Sequence, residues 1–189
     1  MKRVVVLSDT CGVQDGVKDM MTQLHETPPD LIIHLGNKYG DMSKLITVDC
    51  PVEQVPETSS EAANDPDVPT RKFLMVEGWR FFITYSPELT TEDLPWITAP
   101  KKIVSNGGCD LMLHGQHRRP KVFRQLHSWI LCPGDMQVLP IGQYHTTFAL
   151  MEVEKTHINL EYRSVYHDLD RIVVRDHVFK RLRMEKILK

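Results

Sequence analysis

The stretch that decides the fold is VVVLSDTCG (residues 4–12), in which a run of four apolar residues ends in polar and small ones. An uninterrupted run of valine and leucine is typical of a strand buried on both faces. Residues 14–25 have apolar side chains at helical spacing and are followed by two prolines, which end a helix. LIIHLGN (residues 31–37) has the composition of a second buried strand. Strand, helix and strand in this order predict a βαβ unit with a parallel sheet.

Polar residues follow both of these strands. Ligands of parallel sheets bind beyond the carboxyl ends of the strands, so we expect Asp9, Cys11 and Asn37 to share one rim of the sheet. Each residue also has an ordinary structural interpretation, which the sequence leaves open. Asp9 is a good helix N-cap, Cys11 is a small hydrophobe, and Asn37 is a turn residue that tolerates unusual backbone dihedrals.

The rest of the chain alternates short apolar runs with polar segments. Residues 51–70 are rich in Pro, Glu, Ser, Asn and Asp and predict a mobile loop. Residues 72–84 predict a hairpin that turns at Gly78, and a short helix is expected over residues 95–105. Further strands are predicted over residues 111–114, 122–126, 128–131, 146–153, 158–165 and 171–179. We expect an α/β fold of two packed β-sheets flanked by helices, forming a single domain over residues 1–179, with a basic tail at 180–189.

Composition argues against several classes of function. The 189-residue chain has a net charge of −2, which gives no electrostatic reason to expect nucleic acid or an anionic membrane as a partner. It has no apolar run of about 18 residues that could span a bilayer, and its first apolar run is too short for a signal peptide. The four cysteines are widely spaced and form no CxxC pair. We therefore expect a cytoplasmic protein with free thiols.

Four more motifs lie where predicted strands end: DLIIHLGN (residues 30–37), ITYSP (83–87), DLMLHGQHRRP (110–120) and CPGD (132–135). Together with the opening motif, their order and spacing resemble those of the calcineurin-like metallophosphoesterases. The most similar branch is that of the small bacterial and archaeal phosphodiesterases, which also includes a retromer subunit of the same fold. The resemblance covers about residues 1–179 and implies the four-layer sandwich of that family.

In that family two divalent cations at the strand ends activate a water and hold the phosphate oxygens. When the family's ligands are carried over motif by motif, only Asp9 is unchanged. Cys11 stands in place of a His, Asn37 in place of the bridging Asp, and Asp49 in place of an Asn whose motif aligns poorly. The family's remaining His ligands correspond to Tyr85, Pro87, Gln116 and Arg118.

These replacements change the chemistry of the implied site. The amide of Asn37 supplies only a dipole between two dications, Gln116 is a weak ligand, and the guanidinium of Arg118 cannot ligate a metal. The resemblance therefore implies an eroded two-metal site, with Asp9, Cys11, Asn37 and Asp49 as metal candidates. Asp9, Asn37 and His117 are the catalytic candidates, although a solvated loop histidine is the alternative for His117. Arg118 and Gln116 are candidates for anion binding, and Arg118 is a candidate to pair with Asp9 in place of a metal.

Two functions follow from the resemblance. The first is a phosphoesterase or phosphodiesterase whose hydrolysis is weak, altered or lost, with Mn, Zn or Fe at reduced occupancy or no metal. The second is a non-catalytic scaffold or anion-binding protein that uses the same fold. A phosphate-containing small molecule, a protein partner or a second copy of the chain fits these functions. Leu94, Trp96 and Ile97 are candidates for an apolar partner-binding patch.

Overall fold

The computed structural model describes residues 1–12, 14–40, 42, 49–91, 93, 98–137, 146–165 and 174–180. The helices in this part of the chain are α1 (Gln14–Gln23) and α2 (Pro100–Ser105), with a short 3-10 helix at Glu61–Asn64. The strands are β1 (Lys2–Leu7), β2 (Leu31–Leu35), β3 (Val52–Val55), β4 (Arg71–Val76), β5 (Trp79–Thr84), β6 (Leu111–His114), β7 (Lys121–Gln125), β8 (Ser128–Cys132), β9 (Thr147–Val153), β10 (His157–Ser164) and β11 (Val174–Lys180).

The first sheet is mixed and has the order β11-β10-β9-β1-β2-β3. Its β1, β2 and β3 run parallel, with Val4 opposite Leu31 and Ile32 opposite Val52. Strand β9 joins the other side of β1 in the antiparallel sense. Four consecutive residues at the end of β1 are buried, as expected of a strand in the middle of a sheet that is covered on both faces.

The second sheet is also mixed and has the order β4-β5-β6-β8-β7. Its central strands β5, β6 and β8 run parallel, so their carboxyl ends point the same way. Strands β4 and β7 are antiparallel additions at the two edges. Each sheet therefore has three parallel strands whose final residues lead into loops at one rim.

The main core lies between the two sheets. It combines β-branched and aliphatic residues of the first sheet with aromatic residues of the second, including Trp79 and Phe81, which are almost fully buried. Helix α1 covers the outer face of the first sheet with Val17 and Met20. Helix α2 begins with Pro100, a favoured first residue of a helix, and covers the outer face of the second sheet with Val104. The expected α/β fold of two packed sheets flanked by helices is confirmed.

The prediction of a mobile loop is wrong for residues 52–55, which form β3. The segment as a whole is polar, but Val52 and Val55 suffice to extend the first sheet next to β2. The hairpin that turns at Gly78 is confirmed. Several predicted features lie outside the described residues: residues 171–173 of the last predicted strand, residues 181–189 of the tail, and the apolar candidates Leu94, Trp96 and Ile97. Within the described part, none of the helices is long and apolar enough to cross a membrane.

Candidate functional site

The loops after the parallel strands of both sheets meet at one rim of the sandwich. Ser8, which follows β1, has its Oγ 2.8 Å from the carbonyl oxygen of Leu35 at the end of β2. Its own carbonyl accepts the backbone N–H of Met136, beyond β8, at 3.0 Å. Asp9 accepts a hydrogen bond from Tyr85, the first residue after β5. The rim therefore gathers residues from both sheets, as the rule for parallel strands predicts.

Asp9 lies at the centre of this rim, and only 9% of it is exposed. Its Oδ2 is 2.8 Å from Ser8 Oγ, and its Oδ1 accepts the Tyr85 hydroxyl at 3.2 Å. Burial, helped by the nearby charges of Asp135 and Glu57, raises the pKa of Asp9 to about 6, whereas the bonds from Ser8 and Tyr85 oppose the rise. Both carboxylate oxygens are therefore engaged with neutral hydroxyls.

The Ser8 hydroxyl links Asp9 to the end of β2. A hydroxyl carries one proton, yet Ser8 Oγ lies within hydrogen-bond distance of both the Leu35 carbonyl and the Asp9 carboxyl. When Ser8 donates to Leu35, the proton of the second bond has to come from Asp9. When Ser8 instead donates to Asp9 Oδ2, that bond lowers the pKa of Asp9 against the larger effect of burial.

Tyr85 occupies the space next to Asp9. Its ring packs against two glycines of the rim, because a Cβ placed on Gly36 would overlap the ring and a Cβ on Gly115 would lie 3.1 Å from Tyr85 Cδ2. Burial raises the pKa of the Tyr85 phenol above its ordinary value, and the charge of Asp9 adds to the rise. The phenol is therefore a neutral hydrogen-bond donor to Asp9.

Cys11 and Asn37 contact each other, as their positions after neighbouring strands predict. The Asn37 amide donates to Cys11 Sγ at 3.1 Å, and Cys11 is half-buried. Asp9, Cys11 and Asn37 all have positive φ angles, of 53°, 50° and 56°. Such conformations cost a non-glycine residue on the order of 1–2 kcal/mol, and they cluster at functional sites. The structure therefore brings together the three rim residues that the first two strands predict.

The loop after β6 differs from the rest of the rim because its predicted site residues are exposed. Gln116, His117 and Arg118 all point to solvent, and Gln116 also has a positive φ of 66°. The His117 ring packs edge to face on His114, with 5.3 Å between ring centroids. Burial lowers the pKa of His114 to about 4. No ion pair joins Arg118 to Asp9 among the described residues.

Asp49 lies at the other end of the sheet. It precedes β3, whereas the rim is at the carboxyl ends of the parallel strands β1, β2 and β3. Its side chain is exposed, and its charge acts on the neighbouring Cys50, whose raised pKa is due first to burial. Asp49 is therefore not brought together with Asp9.

Two carboxylates near Asp9 were not predicted. Glu57 follows β3, and its charge raises the pKa values of Asp9 and Tyr85. Asp135 is buried, accepts the backbone N–H of Gln137 at 2.6 Å, and acts on Asp9 in the same direction. Recognition of β3 would have identified Glu57, since the residue after a parallel strand is a candidate by the rule applied to Asp9. The CPGD motif contains Asp135. Its place near Asp9 depends on the contact between this segment and the residues after β1, which the sequence does not show.

A two-metal centre does not fit these residues. Asp9 has both oxygens engaged and a raised pKa, Asn37 directs its amide N–H groups at Cys11, and Tyr85 is a neutral phenol. Divalent Mn, Fe or Zn requires several deprotonated carboxylate, imidazole or thiolate ligands. No group of three or more His, Cys, Asp or Glu in the described part of the chain is arranged to hold a metal ion. We therefore derive no chemical step through a metal.

Comparison with a family model identifies the fold. Residues 1–156 match the model of the calcineurin-like phosphoesterase superfamily domain. Among curated proteins, none matches this sequence.

Solved structures of low sequence identity share the fold. Vps29 from Chaetomium thermophilum is 13% identical, with a TM-score of 0.72 and complete coverage of both chains. The phosphoesterase YfcE from E. coli is 14% identical, with a TM-score of 0.64, and the match covers 95% of this chain and 100% of YfcE. Vps29 from Entamoeba histolytica, solved in complex with Zn²⁺, is 12% identical, with a TM-score of 0.61 and coverage of 95% and 99%.

Proposed function

The chain belongs to the calcineurin-like phosphoesterase superfamily. We propose that it is a non-catalytic member in which the hydrogen-bonded junction of Ser8, Asp9 and Tyr85 has replaced the two-metal site. On this proposal the protein acts by binding a partner, and hydrolysis of phosphoesters is lost. The observation that carries it is the bond from the Tyr85 hydroxyl to Asp9 Oδ1, 3.2 Å long, at the one ligand position that is unchanged from the family.

Tyr85 supports the proposal in two ways. Its hydroxyl satisfies a carboxylate oxygen with a proton, where the family would satisfy that oxygen with a cation. Its ring packs on Gly36 and Gly115, so the residue is held by packing as well as by the bond. A metal at this place would have to displace a buried aromatic side chain that is only 9% exposed, and it would also have to break the hydrogen bonds that engage both oxygens of Asp9.

The fold relatives are compatible with either outcome. One is a phosphoesterase, and others are Vps29 proteins, one of them solved with Zn²⁺. The same fold therefore occurs in proteins named for an enzymatic activity and in proteins named for vacuolar protein sorting. The donor set around Asp9 leads us to place this chain with proteins that bind partners, and the exposed Arg118 and Gln116 remain candidates for contact with an anionic group of such a partner.

Metal retention tests the proposal. The protein is incubated separately with Mn²⁺, Zn²⁺ and Fe²⁺, desalted and subjected to elemental analysis, and a chromogenic phosphodiester is assayed with each sample. We expect less than one equivalent of metal per chain and no hydrolysis above that of buffer. Two retained equivalents with metal-dependent turnover would overturn the proposal, and one equivalent with turnover would favour the altered-site phosphodiesterase.

A restored variant serves as the matched comparison. The triple substitution Cys11→His, Asn37→Asp and Tyr85→His returns three family ligands around Asp9. We expect the triple variant to retain more metal than the wild type, because it gains imidazole and carboxylate donors and loses the competing phenol. Equal, high retention by both proteins would show that the junction does not exclude metal.

A further inference from the structure

Strand β4 is an edge strand with an apolar outward face. It ends the second sheet, and no strand among the described residues pairs with its free side. Phe73 and Met75 point outward from it and are 57% and 66% exposed. The strand contains no proline, and its Lys72 is turned toward the first sheet, where it pairs with Glu53 at 3.1 Å. The usual devices that keep an edge from pairing are therefore missing from its outward positions.

The turn that joins β4 to β5 determines which backbone groups of β4 are free. Glu77 and Gly78 both have positive φ, 49° and 83°, which is the pattern of a two-residue type I′ turn. Such a turn is closed by a hydrogen-bonded pair, here Val76 with Trp79. Hydrogen-bonded and non-bonded pairs alternate along an antiparallel ladder. The backbone groups of residues 71, 73 and 75 therefore point away from β5, toward the free edge.

We propose that this edge binds a second copy of the same chain, with the two β4 strands antiparallel about a two-fold axis at Leu74. A two-fold interface uses the same patch on both subunits, so the strand has to be complementary to itself. Pairing about Leu74 sets residue 73 of one copy opposite residue 75 of the other, and residue 71 opposite residue 77. This register pairs odd-numbered residues of one copy with odd-numbered residues of the other. The backbone groups of residues 71, 73 and 75 are the ones that point toward the free edge, so the register lets them bond across it.

Side chains match in this register. Phe73 lies opposite Met75 of the second copy, which joins the two exposed apolar side chains of each strand. Arg71 lies opposite Glu77 of the second copy, so opposite charges face each other, and Glu77 is also 3.7 Å from the N-terminal amine of its own chain. The Arg71 side chain is only 8% exposed and bonds Asp93 at 2.8 Å, yet its Nε and Nη1 have no hydrogen-bond partner among the described residues.

The alternative register about Phe73 matches less well. It would set Arg71 opposite Met75 and would leave the carboxylate of Glu77 without a cation across the edge. Self-complementarity in apolar contact and in charge thus selects both the second copy as occupant and one register. This inference does not depend on the proposed function, because β4 lies outside the junction around Asp9.

Sedimentation velocity over a concentration series tests the interface. We expect the wild type to dimerise, and the double substitution Phe73→Lys and Met75→Lys to raise the dissociation constant by more than about tenfold, because it places like charges across the edge. Phe123→Lys, at the opposite edge of the same sheet, is the control and should leave the dimer intact. Far-UV circular dichroism of each variant establishes that it is folded. A monomeric wild type, or a dimer that survives the double substitution in folded protein, would overturn the proposal.

A cysteine at the two-fold axis tests the register. Leu74 of each copy would face its own equivalent as a non-bonded pair, with Cα atoms about 4.5 Å apart, which a disulfide can bridge. Under mild oxidation, Leu74→Cys should give a disulfide-linked dimer, whereas the wild type with its four native cysteines should not. Phe123→Cys is the matched control. A cross-link that forms equally well in the control, or none at Leu74, would overturn the register.

Discussion

The two halves of the rim differ in burial and in hydrogen bonding. The closed half consists of Ser8, Asp9 and Tyr85 with the glycines that flank the Tyr85 ring, and it is buried and fully hydrogen-bonded. The open half consists of residues 116–118, which are exposed. One half is part of the packing between the two sheets and the other is exposed to solvent, so the halves should respond to substitution in different ways.

The largest expected effect is at the glycines of the closed half. Gly115→Ala should lower the free energy of unfolding by about 3 kcal/mol or more, because its Cβ would overlap Ser8 Oγ and the backbone oxygen of Leu35. Gly36→Ala should also destabilise, through overlap with the Tyr85 ring and through its positive φ of 82°. Urea denaturation measures both.

A double-mutant cycle separates these causes. Removal of the ring with Tyr85→Ala should recover part of the cost of Gly36→Ala, whereas the backbone overlap at Gly115 should persist. If the costs at Gly36 and Tyr85 were simply additive, the ring would not be what requires a glycine there.

The second expected effect is on the pH dependence of the free energy of unfolding, and it arises from Asp9 in the closed half. The pKa of Asp9 rises from 3.8 to about 6 on folding, so its contribution to stability is present below pH 3.8 and is lost as the pH rises through 6. Asp9→Asn resembles the protonated side chain and cannot ionise. We expect this variant to match the wild type near pH 4 and to be more stable by up to about 3 kcal/mol at pH 8.

Urea denaturation at a series of pH values measures this difference. His114 serves as the control, because burial lowers its pKa from 6.5 to about 4, and its contribution is present above pH 6.5 and is lost as the pH falls through 4. The difference between wild type and His114→Gln should therefore change with pH in the opposite sense. A pH-independent difference between wild type and Asp9→Asn would mean that the carboxyl is ionised without cost.

A third, smaller effect is expected for Tyr85→Phe. This change removes only the hydroxyl that donates to Asp9 at 3.2 Å and keeps the ring on its glycines. The loss should be about 1–2 kcal/mol at neutral pH, typical of a hydrogen bond to a buried polar group. In the Asp9→Asn background the cost should shrink, because the acceptor is then uncharged. If Tyr85→Phe cost the same stability in the Asp9→Asn background, the loss would come from packing and not from the hydrogen bond.

The smallest effect is expected in the open half. Arg118→Ala should change the free energy of unfolding by no more than about 0.5 kcal/mol, because the side chain is exposed. Its measurable consequence is at Asp135, whose pKa is raised by burial and is lowered in part by Gln137 and by the Arg118 charge. Carboxyl NMR should detect a further rise of that pKa in the variant. A loss of stability above 1 kcal/mol would show that the open half is also structural.

Much of the fold could be predicted from the sequence because several of its elements are specified by residues that are neighbours in the chain. The VVVL run of β1, the LIIHL run of β2 and the turn at Gly78 each predict their elements from neighbouring residues alone. Strand β3 was not predicted because two valines among polar residues are a weak signal for a strand. Backbone pairing with β2, which the local sequence does not show, stabilises it. The strand-end rule then predicted Asp9, Cys11 and Asn37 together, and it failed to predict Glu57 for the same reason that β3 was missed.

The sequence by itself determined the α/β fold and the family, because both depend on order and spacing along the chain. The resemblance in sequence also predicts that most of the family's ligands are replaced. Only the tertiary structure decided that Tyr85 contacts Asp9, because the two residues lie 76 apart in the sequence and their contact requires the two sheets to pack face to face. The raised pKa of Asp9 likewise comes from burial, which is a property of the packed rim as a whole.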